Sequence, residues 1–187
     1  MARTGRSSRA CGYGGRVLLT ELSALPEPRA AEVVAVWAAV PTWVEAIVAA
    51  RPYGSREALE SHAASLAARW TRADLDAALA HHPRIGERPR GTGEEAAASR
   101  SEQASMADAE ADVTTAIAHA NAAYEARFGR VFLIRAAGRS PEEMLAEARR
   151  RLHNDDEAEV REALDQLAQI ALLRLRTTIE DATEEDA

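Results

Sequence analysis

The sequence contains no lysine, few aromatic residues and only one cysteine, and its charge balance and cysteine content exclude some classes of protein. Its 23 basic side chains are all arginine and face 30 acidic ones, for a formal net charge of −7. Because nonspecific nucleic-acid binding needs a basic face, this balance argues against it. A single Cys11 cannot form an internal disulfide framework, which suits a reducing compartment.

Long apolar runs are also missing. No stretch approaches the roughly 18 apolar residues of a membrane span, and the basic N-terminus lacks the apolar segment of a signal peptide. We therefore expect a cytoplasmic protein that binds neither nucleic acid nor membrane. An anionic small molecule is still compatible with the net charge, because one buried arginine can dominate the field inside a pocket.

The composition favours helices. Hydrophobic residues make up 47% of the chain but aromatic residues only 4%, so the apolar content is mostly Ala, Leu and Val. Ala and Leu lose little side-chain entropy in a helix. The length of 187 residues favours one domain with a substantial core.

Helix signals recur along the chain. Ser55 can cap a helix, Thr71 and Asp74 have the spacing of a capping box, and Ser140 precedes a proline and two acidic residues. Gly129 is placed to end a helix in a left-handed turn. The predicted helices run over 28–39, 41–50, 55–70, from 71 to about 82, from about 94 to 128, 140–152, and from about 156 to 179.

The remaining segments complete the predicted architecture. Residues 131–134 form one short apolar run, and since one run cannot make a sheet we expect an extended loop. Residues 1–16 are predicted to be a flexible tail, 17–179 the helical domain and 180–187 an acidic tail. The sequence thus predicts an all-α, single-domain helical bundle of about seven to nine helices.

His82 is the first residue that can carry chemistry. It ends a predicted helix, precedes Pro83 and opens a glycine-rich loop, and loops on rigid supports often carry function. Imidazole is the usual group for proton transfer near neutral pH. Position alone nevertheless favours a second interpretation, in which His82 caps the helix C-terminus.

Two further candidates are polar residues on predicted helices. Ser99, Glu102 and Gln103 fall on one helical face if the helix is continuous, which suits a polar heterocyclic ligand. Ser99 and Glu102 also have the spacing of a capping box, and spacing does not decide between these roles. Arg174 continues the apolar stripe of the last helix. It must extend towards solvent, the more common outcome near a helix end, or find an anionic partner such as a carboxylate.

The sequence lacks the motifs of metal-binding, nucleotide-binding and nucleophilic enzymes. The five histidines form no HExxH or Cys/His ligand set, and there is no GxGxxG, Walker loop or nucleophile elbow. The sequence therefore points away from metalloenzyme, kinase and serine-hydrolase chemistry.

Several segments together resemble the OHCU decarboxylase family (2-oxo-4-hydroxy-4-carboxy-5-ureidoimidazoline decarboxylases), over about residues 22–179. HPRIG followed by SxxEQ and then FGxxF is a specific combination, whereas HPxxG alone is weak. The matching segments are HPRIGE at 82–87, SRSEQ at 99–103, NAAYEARFGRVFLIRAAGRS at 121–140, RRRLHNDDEAE at 149–159 and IALLRL at 170–175.

The resemblance implies an all-helical homodimer that needs neither metal nor organic cofactor and converts the anionic small molecule OHCU to (S)-allantoin in urate breakdown. It makes His82 and Glu102 the catalytic acid/base pair and Arg174 the holder of the substrate carboxylate. The remaining residues expected at the substrate are Pro83, Ser99, Gln103, Phe132, Leu133, Ile134, Arg135 and Ala136.

Elementary chemistry is consistent with this expectation. Decarboxylation needs an electron sink, and OHCU carries a ring imine beside the carboxylated carbon, so the substrate supplies its own. The protein has to orient the carboxylate, relay protons and protonate one face of the product carbon. Two alternatives are a noncatalytic helical module that binds a partner protein and a related decarboxylase for another ureido or imidazoline acid.

Overall fold

The computed structural model describes residues 16–80, 82, 84–87 and 93–181. Within these ranges the chain forms nine α-helices, one 3-10 helix and two strands of two residues each, so the predicted all-α fold is confirmed. The helices are α1 Leu19–Ala24, α2 Glu27–Trp37, α3 Pro41–Ala49, α4 Arg56–Ala67, α5 Arg72–Leu79, α6 Glu94–Glu102, α7 Ala111–Phe128, α8 Pro141–Arg151 and α9 Asp156–Thr178. The 3-10 helix is Ala104–Asp108, and the strands are β1 Val17–Leu18 and β2 Ile179–Glu180.

The predicted helix signals act as expected. The Ser55 side chain accepts a hydrogen bond from the main-chain N–H of Ala58, at 3.2 Å, and so caps α4. Capping boxes open α5 at Thr71 and α8 at Ser140, where proline occupies the first turn. Gly129 ends α7 with a φ of 67°, the left-handed conformation in which glycine is favoured.

The prediction of one helix from about residue 94 to 128 is wrong. α6 ends at Glu102, Gln103 follows it as the C-cap, and a 3-10 turn separates α6 from α7. A continuous helix of this length would extend about 50 Å, more than a domain of this size spans. The break also lets α6 pack against α2 while α7 packs against α8.

The segment 131–134 forms neither helix nor strand, as expected for a loop. The side chains of its last three residues are buried, with exposed fractions of 2–3%. Successive side chains of an extended chain point in opposite directions. Leu133 therefore enters one hydrophobic cluster, whereas Phe132 and Ile134 enter another.

These two clusters form the core. The first surrounds α9, which packs against α2, α4 and α5, and it contains the tryptophans Trp37, Trp43 and Trp70 in edge-to-face contact. The second lies between α7 and α8 and includes Ile85 from the loop after His82. Five other apolar side chains pack against these clusters and are only partly buried: Leu66, Val113, Phe128, Leu152 and Leu164.

The two ends of the described chain contact each other. β1 and β2 pair in parallel, with Val17 opposite Ile179 and Leu18 opposite Glu180. Arg16 and Glu180, which the sequence assigned to the tails, form an ion pair. The rest of the predicted tails, 1–15 and 182–187, lies outside the described residues.

No helix in the described part of the chain is both long and apolar enough to cross a membrane.

Candidate active site

Arg174 and Glu102 form an ion pair that joins α9 to α6. The Arg174 Nε donates to Glu102 Oε1 at 2.6 Å, and Nη2 donates to Oε2 at 2.9 Å. Such a two-pronged contact matches the planar guanidinium to the planar carboxylate. Arg174 is only 4% exposed, so the interpretation that it extends towards solvent is wrong. A charge this deeply buried requires the partner that Glu102 provides.

Two further groups hold the same guanidinium. Its Nη1 donates to the main-chain carbonyl of Val36 at 2.9 Å, and Nη2 donates to Ser99 Oγ at 3.2 Å. Ser99 is itself buried, with 1% exposure. Of the five N–H groups of an arginine, four thus have a partner. The fifth, on Nη1, donates to none of the residues that the structure describes.

A cavity of about 300 Å³ opens beside this ion pair. The Glu102 side chain is 15% exposed and the Arg174 side chain 5%, so the carboxylate is the more accessible of the two. The cavity is lined by Val36, Ala98, Ser101, Glu102, Ala137, Leu173, Arg174, Thr177 and Thr178. A small molecule in this space meets a carboxylate, a guanidinium and three hydroxyl-bearing residues.

His82 lies near Arg174. Burial, and after it the positive charge of Arg174, together lower the pKa of the His82 imidazole to about 4. The side chain is therefore neutral near pH 7 and able to accept a proton. α5 ends at Leu79, whose carbonyl accepts from the His82 main-chain N–H at 3.1 Å.

The loop after His82 is fixed to two other elements. Asn121 Nδ2 on α7 donates to the Ile85 carbonyl at 2.9 Å, and Gln103 Oε1 accepts from the Gly86 main-chain N–H at 3.0 Å. Gly86 has a φ of +83°, which glycine adopts without strain. Sequence reasoning missed Asn121, and it placed Gln103 on a helical face rather than at the C-cap where it lies. Pro83 lies outside the described residues.

Hydrogen bonds to its main-chain groups hold the segment 132–136 in place. The Leu133 carbonyl accepts from Arg151 Nη1 at 2.7 Å, and the Arg135 N–H donates to Gln166 Oε1 at 3.0 Å. These two groups are thus occupied within the chain. The segment approaches the cavity through the residue that follows it, since Ala137 is part of the lining.

A second buried ion pair supports that segment. Arg151 and Glu159 are 1% and 0% exposed and are joined by hydrogen bonds, among them Arg151 Nε to Glu159 Oε1 at 3.0 Å. The Tyr124 hydroxyl also donates to Glu159. The Arg151 guanidinium lies 4.8 Å from the centre of the Phe132 ring. The sequence pattern did not reveal this network. Arg151 ends α8 and Glu159 lies in the first turn of α9, so the two side chains meet where these helices join.

Comparison with known proteins is consistent with this architecture. Residues 23–176 match the model of the OHCU decarboxylase family. A crystal structure of OHCU decarboxylase in the presence of (S)-allantoin is similar, with 25% identity and a TM-score of 0.65, over 75% of this chain and 92% of that one. A crystal structure of (S)-allantoin synthase shares the fold, with 17% identity and a TM-score of 0.63, over 87% of this chain and 54% of that one.

No curated protein sequence matches the chain. The family model covers most of the 187 residues, including the segments that hold Ser99, Glu102 and Arg174. The chain therefore belongs to the OHCU decarboxylase family.

Proposed function

We propose that this protein decarboxylates OHCU to (S)-allantoin and needs neither a metal nor an organic cofactor. The observation that carries the proposal is the Arg174–Glu102 ion pair at a cavity of about 300 Å³, with a neutral His82 near enough to Arg174 for its charge to lower the pKa of the imidazole. These are three groups that the family resemblance marks as catalytic. Arg174 and Glu102 lie 72 residues apart in the sequence and are in direct contact, and the charge of Arg174 acts on His82.

The reaction requires a proton relay. As the bond to the carboxyl carbon breaks, carbon dioxide leaves and the electron pair moves towards the neighbouring ring imine, whose nitrogen takes up a proton. The hydroxyl on the decarboxylated carbon then gives up its proton and becomes a carbonyl, while the adjacent carbon gains a proton. The net change is one proton taken up for each carbon dioxide released.

His82 and Glu102 are suited to that relay. A neutral imidazole accepts the hydroxyl proton and, once charged, can return a proton. A desolvated imidazolium near Arg174 is unfavourable, which favours the rapid return of its proton.

Arg174 is proposed to hold the substrate carboxylate. One N–H on Nη1 is not used by the residues that the structure describes, and Glu102 occupies two other N–H groups. A substrate carboxylate can bind the unused N–H or share the guanidinium with Glu102. Two carboxylates on one guanidinium repel each other, and a proton held between them relieves that repulsion. Binding the substrate would thus also bring a proton to the site.

The remaining substrate contacts are proposed for the groups around this pair. Ser99 and the amide nitrogen of Gln103 can hold the ureido and ring groups, together with Pro83 and the segment 132–136. The family resemblance further suggests that the protein acts as a homodimer.

The test is a coupled assay with a matched histidine control. Urate oxidase and a 5-hydroxyisourate hydrolase generate OHCU, and circular dichroism follows the appearance of (S)-allantoin. We expect the wild type to accelerate it and His82→Ala to lose at least about a hundredfold in rate, since general acid–base catalysis contributes that much. The control is His119→Ala, at an exposed position on α7, which should keep the wild-type rate.

The alternatives predict other results. A noncatalytic module would leave allantoin racemic at the spontaneous rate with the wild type as well. A decarboxylase for another ureido acid would act on that acid and not on OHCU. Full rate and stereoselectivity in His82→Ala would show that His82 has no catalytic role.

A further inference from the structure

The loop after His82 is held by two side-chain amides that belong to different elements. Asn121 on α7 donates to the Ile85 carbonyl, and Gln103, at the end of α6, accepts from the Gly86 N–H. The two amides therefore hold consecutive residues of one loop. Because α6 also carries Glu102, the same contacts relate the His82 loop to the position of that carboxylate.

Asn121 is built into the core beneath this loop. It is 5% exposed, and its Nδ2 lies 2.9 Å from the Ile85 carbonyl oxygen. Its Oδ1 is buried and makes no hydrogen bond to the residues that the structure describes. Burying the Oδ1 acceptor without a partner costs stability. The hydrogen bond from Nδ2 to the Ile85 carbonyl is the contact that accounts for a polar side chain at this position.

The other anchors of the loop are less specific. The Ile85 side chain is buried in the second hydrophobic cluster, which holds the loop against the core. Because hydrophobic burial is not directional, it does not set the orientation of the peptide groups of the loop. Arg84 pairs with Glu125, one turn after Asn121, but the Arg84 side chain is 45% exposed and the Glu125 side chain 29%. Exposed ion pairs constrain little. Of the two amide hydrogen bonds, the one from Asn121 is buried, whereas the one to Gln103 is exposed, so Asn121 makes the buried, directional contact with this loop.

We propose that Asn121 is a positioning residue, which sets where His82 lies relative to Glu102 and Arg174. The inference rests on the proposed function for its catalytic consequence. Without the Asn121 donor, the Ile85 carbonyl is buried without a partner, and its peptide group has to rotate to find one. Such a rotation, three residues from His82, displaces the imidazole, and a displacement of about 1 Å can cost about a hundredfold in rate.

Two variants remove the donor and keep the size of the side chain. Asn121→Leu deletes both polar atoms, including the unpaired Oδ1, and so limits the loss of stability. Asn121→Asp keeps the shape and replaces the donor by an acceptor. The matched control is Tyr53→Phe, which removes another side-chain donor from a main-chain carbonyl, that of Ile47 at 2.9 Å in the first cluster.

The assay separates positioning from folding. We expect kcat of both Asn121 variants to fall about ten- to a hundredfold, and the enantiomeric excess of allantoin to fall with it. KM should stay within about twofold, because Ser99 and Arg174 keep their contacts. Tyr53→Phe should retain wild-type kcat and stereoselectivity. Far-ultraviolet circular dichroism checks that each variant is folded.

A second readout does not depend on catalysis. The NMR signal of the His82 imidazole should shift in the Asn121 variants and stay in place in Tyr53→Phe. Unchanged kcat, stereoselectivity and His82 signal in folded Asn121→Leu and Asn121→Asp would overturn the inference. If the wild type itself fails to convert OHCU, the proposed function is wrong, and the NMR comparison alone then decides whether Asn121 positions His82.

Discussion

His82 should make the protein less stable as the pH falls. Its pKa is about 4 in the folded protein, mainly because of burial and then because of Arg174, against an ordinary value of 6.5. The unfolded chain therefore takes up a proton first as the pH falls. The stabilisation from a neutral, buried His82 is complete above pH 6.5 and is lost as the pH falls towards 4.

These two pKa values determine the size of the effect. Between about pH 7 and about pH 5 the difference in proton binding removes about 2 kcal/mol from the free energy of unfolding. The full loss, reached below the folded pKa, is about 3 kcal/mol. Since stabilities of domains are commonly 5–15 kcal/mol, the change is large enough to measure by urea denaturation.

The assay compares wild type with His82→Gln at both pH values. The wild type should lose about 2 kcal/mol more than the variant, because glutamine does not titrate. His119→Gln, at an exposed position on α7, is the matched control for the loss of a histidine side chain. Equal losses in wild type and His82→Gln would refute the claim that His82 is held neutral by burial and by Arg174.

Two further predictions concern stability. Glu159→Ala leaves Arg151 buried without its partner, so the free energy of unfolding, measured by urea denaturation, should fall by about 3–5 kcal/mol. The control is Glu157→Ala, in an exposed pair with Arg161, which should lower it by less than about 1 kcal/mol. Equal losses in the two variants would contradict a stabilising role for the buried pair. Gly86→Ala should cost about 1–2 kcal/mol by the same measurement, because its φ of +83° disfavours a side chain, and an unchanged midpoint would show that the loop adopts another conformation.

The elements that local signals specify were predictable. The caps at Ser55, Thr71 and Ser140 each satisfy an N–H that the first turn of a helix leaves unpaired, which requires only neighbours in sequence. Gly129 ends α7 for an equally local reason, its positive φ. The break between α6 and α7 was missed, because it follows from packing on two separate parts of the core and not from a proline or glycine.

The candidate site was predictable only in part. A buried arginine on an apolar stripe requires a partner, but periodicity could not say that Arg174 pairs with Glu102, 72 residues away. The family resemblance brought the two residues into one site, and the structure adds that they contact each other directly. Asn121 carried no sequence signal of its own, since its role depends on where the loop at Ile85 lies.

The contact between Arg174 and Glu102 changes how the site is understood. Sequence reasoning assigned the arginine to the substrate and the carboxylate to proton transfer, as separate tasks. In the structure each holds the other through two hydrogen bonds. Substrate binding and proton transfer would then be coupled, because a ligand carboxylate at Arg174 necessarily acts on Glu102.

The central claim is tested most directly by the optical activity of the product. Freshly generated OHCU is divided between a sample with the wild-type protein and one without, and circular dichroism records the allantoin formed in each. We predict rapid formation of (S)-allantoin with the protein and slow formation of racemic allantoin without it. Racemic allantoin at the same slow rate in both samples would contradict the account.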